Sequence, residues 1–290
     1  MAPLVGAPRE AEIAMLPPVI QVENITVDYN GFIALRDASL TVQPGSICGL
    51  IGMNGAGKST LFKAIMGFLT PAAGRVLIAG EPVTTAQKRG RLAYMPQAEE
   101  VDWAFPVSVQ DVVMMGRYGF MNLLRTPRPL DHAKVVESLA RVGMQDFRKR
   151  QIGELSGGQR KRTFLARALA QDAAIMLLDE PFTGIDAKTE ETIITLLREL
   201  RDEGKTIIVC THDLASIASF CDEVALINRT VLAYGPLETT FTPENIAHAY
   251  GGVFNHLVFA QQAGKELAYE AHLGANRDGQ QPVQPPAAGR

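Results

Sequence analysis

The sequence predicts an α/β fold in which a mostly parallel sheet is covered by helices on both faces. Three observations lead there. Short apolar runs of strand length recur along the chain: Ser46 to Ile51, Ala174 to Leu178, Thr206 to Cys210 and Val224 to Ile227. Helical stretches lie between them, and Ile193, Leu196, Leu197 and Leu200 keep the i, i+3, i+4, i+7 spacing of a helix with one buried face. The first of the runs passes directly into a glycine-rich loop and then a helix.

The elements follow in order. Val19 to Asp28 alternates apolar and polar side chains, as a half-exposed strand does. Ser46 to Ile51 reads as a buried strand, and Lys58 to Met66 as a helix closed by Gly67. Arg75 to Ala79 and Leu92 to Met95 read as strands. From about 98 to 150 the pattern turns helical, with turns at Pro106 and at Thr126 to Pro129. This stretch, extended through the helix that ends near 170, is expected to form an inserted helical subdomain. The expected organisation is a flexible N-terminal extension over 1–18, a catalytic domain over 19–250 and a largely disordered C-terminal tail over 251–290.

Composition narrows the classes. The chain has 290 residues, 47% hydrophobic and 20% charged, which suffices for a full core. Lys and Arg number 28 against 31 Asp and Glu, a net charge of −3, so the basic footprint of a nucleic-acid binder is missing and no nucleic-acid partner is expected. No stretch approaches 18 apolar residues, and the N-terminus carries no apolar run of signal-peptide type. Cys48 and Cys210 lie inside apolar runs and read as buried, reduced side chains, which points to a cytoplasmic protein. His132, His248, His256 and His272 form no ligand-like cluster, so no transition-metal site is expected.

Gly52-Met53-Asn54-Gly55-Ala56-Gly57-Lys58-Ser59-Thr60 fits G-x-x-x-x-G-K-[ST]. Its glycines let the backbone approach an anion, and the following helix presents its positive end. Lys58 is placed to reach the β- and γ-phosphates of a nucleotide and Ser59 to ligate Mg²⁺. A second apolar strand ends in Asp179-Glu180. In an open α/β sheet the ligand crevice lies at such strand ends. Asp179 is suited to the metal shell and Glu180 to polarising an attacking water. Leu155-Ser156-Gly157-Gly158-Gln159 precedes an amphipathic helix. Ser156 and Gln159 form a capping box, while two consecutive glycines suit a backbone that approaches a ligand.

Together these segments resemble the ATPase subunits of ABC transporters over about residues 19 to 250. Leu155 to Gln159 matches the family's signature motif. Gln97 matches its Q-loop, Thr183 to Asp186 its D-loop, His212 its switch histidine and Tyr29 the aromatic that stacks on adenine, although an aromatic beside Asn30-Gly31 also suits ordinary turn packing. The resemblance implies a P-loop NTPase domain with an added antiparallel β subdomain. ATP bound along Asn54 to Thr60 of one chain is closed over by Ser156 to Gln159 of a second, in a head-to-tail homodimer. It further implies roles for Glu180 as base, for His212 at the γ-phosphate, for Gln97 at the metal and water, and for Asp186 beside the nucleotide.

The implied partner is an integral membrane permease, served indirectly by a metal-binding solute-binding protein. The chain then sits on the cytoplasmic face of the inner membrane. Trp103, Phe105, Met114 and Met115 serve either as groove residues for permease helices or as subdomain core. Segments 101–109, 115–119, 151–155, 181–186 and 229–236 are similar to the metal-importer branch, with manganese or iron expected as substrate and zinc, or another cargo, as the alternative. A soluble ABC ATPase acting on DNA or the ribosome needs a coiled-coil insertion or tandem ATPase domains, which this sequence lacks. A non-hydrolysing regulator is at odds with Glu180 and His212, and an exporter, with no fused membrane domain in this sequence, would need a separate one.

Overall fold

A computed structural model describes residues 19–97 and 102–250. The sequence expectations for 1–18 and for the tail from 251 lie outside the described residues. The chain begins with two long strands, β1 (Ile20–Tyr29) and β2 (Phe32–Val42), followed by β3 (Ile47–Ile51) and α1 (Lys58–Ile65). Next come β4 (Ala73–Ile78), the two-residue β5 (Glu81–Pro82), α2 (Val83–Lys88) and β6 (Leu92–Met95). Three helices follow: α3 (Val109–Met115), α4 (Pro129–Arg141) and α5 (Gly157–Ala170). The rest alternates: β7 (Ile175–Asp179), α6 (Ala187–Asp202), β8 (Thr206–Cys210), α7 (Leu214–Phe220), β9 (Glu223–Ile227), β10 (Val231–Pro236), α8 (Leu237–Thr240) and α9 (Pro243–Ala249).

The strands form two sheets. One is antiparallel, in the order β2-β1-β4-β5; the other runs β10-β9-β3-β8-β7-β6, parallel throughout except for the β9–β10 pair at its edge. Strands β3, β7 and β8 are buried at every position, which is why they read as unbroken apolar runs. Their side chains alternate between two cores. Ile47, Ile51, Met176, Leu178, Ile207 and Val209 face a core shared with α3 to α6. Cys48, Leu50, Ile175, Leu177, Ile208 and Cys210 face one shared with α1 and the antiparallel sheet.

The elements expected from sequence are present within two residues at most ends. Gly67 does adopt the left-handed conformation after α1, at φ 68°, one residue beyond the cap Met66. The face Ile193, Leu196, Leu197 and Leu200 of α6 is buried as its spacing requires. Three strands carry no clear sequence signal: the two-residue β5, β2 and β10. Around β2 the register against β1 shifts three times, so its apolar positions lose strict alternation. Strand β10 is nowhere fully buried and ends in Gly235-Pro236, which reads as loop.

Residues 109–170 are tied together by a buried charge. Arg117, just beyond α3, donates from Nε to Asp131 Oδ1 of α4 at 3.1 Å and from Nη1 to the Ala170 carbonyl at the end of α5 at 2.9 Å. Asp131 is fully buried and also accepts the Arg128 backbone N–H. That N–H, with the Arg128 and Arg117 side chains, holds the Asp131 carboxyl below its ordinary value against the opposing effect of burial. Removing one partner of such a pair leaves the other charge buried and costs about 3–5 kcal/mol. Asp131→Ala is therefore expected to lower unfolding stability by that amount in urea titrations at neutral pH. The penalty shrinks as pH falls below about 4, where the wild-type carboxyl begins to protonate in the unfolded chain and the pair loses its contribution.

Candidate functional site

Four strands of the parallel sheet stop at one edge, and each delivers polar groups there. Strand β3 runs into Gly52 and the glycine loop. Met95 of β6 pairs with Leu178 of β7, so Gln97 and Glu180 stand equally far past that pair. Asp179 pairs with Cys210 of β8, and His212 follows two residues beyond. The parallel register thus brings residues from 52 to 212 into one crevice line.

Along the glycine loop, Asn54 and Gly55 are exposed at the crest, and Ala56 and Lys58 are buried. Gly57 takes φ 100° as the residue before α1. A Cβ there would stand 2.6 Å from Leu35 and 2.9 Å from the Ala34 carbonyl, so glycine is required twice over. Lys58 Nζ donates to the carbonyls of Gly52 at 2.7 Å and Met53 at 3.0 Å, which folds the side chain back over its own loop. Ser59 and Thr60 follow in the first turn of α1, next to its uncapped N–H groups.

Glu180 is the centre of the second cluster. It is buried, and its backbone lies at φ 51°, a left-handed conformation that costs a non-glycine residue about 1–2 kcal/mol. Its N–H donates to the Cys210 carbonyl at 2.9 Å, and its own carbonyl accepts Lys161 Nζ. Its carboxylate accepts the Thr183 hydroxyl at 2.8 Å, and His212 Nδ1 lies 3.0 and 3.1 Å from its two oxygens. His212 is otherwise open to solvent, so one ring edge is anchored and the rest is available. Beside this cluster, Asp179 is buried at the end of β7. Burial, with Asp179 adding to it, pushes the Cys210 thiol well up, so Cys210 stays protonated and offers no nucleophile.

Ser156 to Gln159 stand apart from the glycine loop. The Ser156 hydroxyl accepts the Gln159 N–H and the Gln159 side chain accepts the Ser156 N–H, so the capping box read from sequence is real. The glycines have a reason of their own. A Cβ on Gly157 would come within 3.2 Å of the Gly184 carbonyl, so this turn packs directly on Thr183 to Asp186. Asp186 caps α6, accepting the Thr189 N–H at 2.9 Å and hydroxyl at 2.8 Å. Tyr29 closes β1 at a hairpin whose turn residues Asn30 and Gly31 both have positive φ, and it is half exposed. A cavity of about 630 Å³ lies alongside this hairpin, between Phe32, Arg36 and Arg229, and does not include Lys58 or Glu180. Trp103 packs edge-to-face on Phe164 of α5 at 5.3 Å, a subdomain contact, while Phe105 is exposed.

Lys161 and Thr183 contact Glu180; Thr183 falls in the stretch matched to the D-loop, whereas Lys161 is not singled out as functional from sequence. Lys161 had a signal: with Phe164, Leu165 and Ala168 it falls on the i, i+3, i+4, i+7 phase of the buried face of α5. Its neighbours Arg160 and Arg162 make it read instead as part of a solvated charge run.

A glycine loop and a carboxylate–histidine cluster on a shared sheet edge, with a separate glycine turn at the start of α5, are the marks of a P-loop ATPase. The chain belongs to the ABC transporter family, whose pattern it matches over residues 35–183. It is 62% identical over 235 residues to the manganese transport system ATP-binding protein MntA of Synechocystis sp., a match covering 81% of this chain and 90% of that one. It is 58% identical to the chelated iron transport system membrane protein YfeB of Yersinia pestis, over 83% of this chain and 81% of that one. Among solved structures, an ATP-binding cassette captured as a post-hydrolysis dimer with ADP and Pi superposes with a TM-score of 0.67 at 25% identity, covering 75% of this chain and 98% of that one. Among the described residues, no helix is long and apolar enough to cross a membrane.

Gly57→Ala introduces both a left-handed alanine and two close contacts. Urea unfolding is expected to show a loss of about 1–3 kcal/mol.

Proposed function

We propose that this chain is the ATP-hydrolysing subunit of an importer for manganese or iron, acting as a pair of copies beneath a separate membrane permease. The observation that carries the reading is Glu180: a buried carboxylate clamped by His212 and Thr183 on the sheet edge that also bears the glycine loop. The metal assignment is supported by the manganese and chelated-iron functions named for the two relatives above.

In this reading the loop N–H groups from Gly55 to Ser59 and the positive end of α1 hold the ATP phosphates. Lys58 exchanges its two loop carbonyls for β- and γ-phosphate oxygens. Tyr29 stacks on the adenine. Ser59, Asp179 and Gln97 offer a hydroxyl, a carboxylate and an amide oxygen, the hard donors that Mg²⁺ takes. These three groups would hold Mg²⁺, which would supply charge neutralisation along the phosphate chain. Glu180 orients a water for in-line attack and takes up its proton, while His212, anchored on Glu180, faces the γ-phosphate. Catalysis of this kind is mostly positioning and charge stabilisation.

The second copy completes the site. Ser156, Gly157, Gly158 and Gln159 of one chain close over the ATP of the other, with Asp186 at the seam. The dimeric cassette with ADP and Pi supports this arrangement. A metal-binding solute-binding protein delivers cargo to the permease, and the chain works at the cytoplasmic face of the membrane.

Glu180→Gln is expected to lower ATP turnover about 10²–10³-fold while nucleotide stays bound and the dimer persists on size-exclusion chromatography. Lys58→Ala is expected to lose nucleotide binding, read with a fluorescent ATP analogue. Cells carrying only Glu180→Gln should lose manganese or iron uptake in isotope assays. A deficit confined to zinc would reassign the cargo, and wild-type turnover by Glu180→Gln would remove Glu180 from the mechanism.

A further inference from the structure

The left-handed backbone of Glu180 is an unfavourable conformation for a residue with a side chain, and it persists only if its surroundings hold it. The peptide groups on either side of its Cα are both fixed. The N–H is held by the Cys210 carbonyl of β8, within the same sheet. The carbonyl is held by Lys161 Nζ, which comes from outside the sheet, from the second turn of α5. Lys161 is 6% exposed, and burying so costly a group requires a specific partner. The same helix begins at the Ser156 capping turn, four to five residues earlier. One rigid helix therefore carries the glycine turn at its tip and the anchor of Glu180 one turn further on.

We propose that Lys161 is a positioning residue for ATP hydrolysis: it fixes the Glu180 backbone and so ties the aim of that carboxylate to the placement of helix α5. This rests on the reading of Glu180 as the water-orienting group. When the capping turn of α5 seats on the nucleotide of the opposite copy, the same movement sets Glu180 for this copy's own nucleotide. Release of α5 lets the Glu180 carbonyl swing away and misplaces the carboxylate without touching the phosphate loop. Misplacement on the scale of 1 Å is enough to cost about 100-fold in rate.

The test uses the full-length chain with Lys161→Met, which keeps the apolar stem out to the ε position and removes the donor, and Lys161→Gln, which ends at that same position with an N–H donor, one atom short of Nζ. The readouts are kcat, KM for ATP and the affinity for a fluorescent ATP analogue. Lys161→Met should lower kcat by about 10- to 100-fold with nucleotide affinity within about threefold of wild type. Lys161→Gln should fall between the two in kcat, again at unchanged affinity. If Lys161→Met does not fold, Lys161→Gln alone decides by the same split. A kcat within twofold of wild type in the variants that fold overturns the proposal. So does a loss of affinity matching the loss of kcat, which would make Lys161 a fold-holding residue only. Glu180→Gln separates the two ideas. If it is inactive while Lys161→Met is active, only the role of Lys161 fails. If it turns over normally, the assignment of Glu180 fails first.

Discussion

The parallel register of β3, β8, β7 and β6 decides where every polar group of the site stands. Parallel strands all end at the same edge, so the residues that follow them are neighbours however far apart they lie in the chain. Gly52, Gln97, Glu180 and His212 come from four strands and share one line because Met95 pairs with Leu178 and Asp179 with Cys210. A slip of one residue in β7 would turn Met176 and Leu178 into the opposite core and move Glu180 off that line at once. The packing of both cores and the geometry of the site are thus enforced by the same hydrogen-bond ladder.

Burial on both faces makes that ladder stiff. Strands β3, β7 and β8 have no position open to water, and the alternation of their side chains divides the interior cleanly between the two cores. On such a base a strained residue can be maintained. The left-handed Glu180 sits one residue beyond β7, braced by the Cys210 carbonyl on one side and by α5 on the other. The helical stretch has a different kind of fastening, a buried Arg117–Asp131 pair that reaches three helix ends. That pair fastens the ends of α3, α4 and α5 at one buried point.

Much of this was legible in the sequence because the signals are local. An apolar strand, a run of glycines and a lysine specify their own turn, and an apolar strand ending in two acids specifies its own edge. The contact between His212 and Glu180 was not local, yet both residues follow buried strands, so a parallel sheet brings them together. What escaped was structure whose cause is distant. Strand β2 carries Arg36 and Asp37 at exposed positions and bulges against β1, which blurs its period. The burial of Lys161 depends on a carbonyl nineteen residues away that is turned toward it by an unusual φ. No window of sequence around Lys161 contains that information.

The three cysteines have a practical bearing. Cys48, Cys210 and Cys221 are all buried, and burial pushes each thiol above its ordinary value, so none presents a thiolate to solvent. The native chain is therefore close to chemically silent toward maleimides and spin-label reagents while it stays folded. A single cysteine introduced on the Ser156 turn, or on the hairpin at Tyr29, would carry a probe without removing any native cysteine. Distances between such probes would then report whether, and how, copies of the chain pair when nucleotide is added.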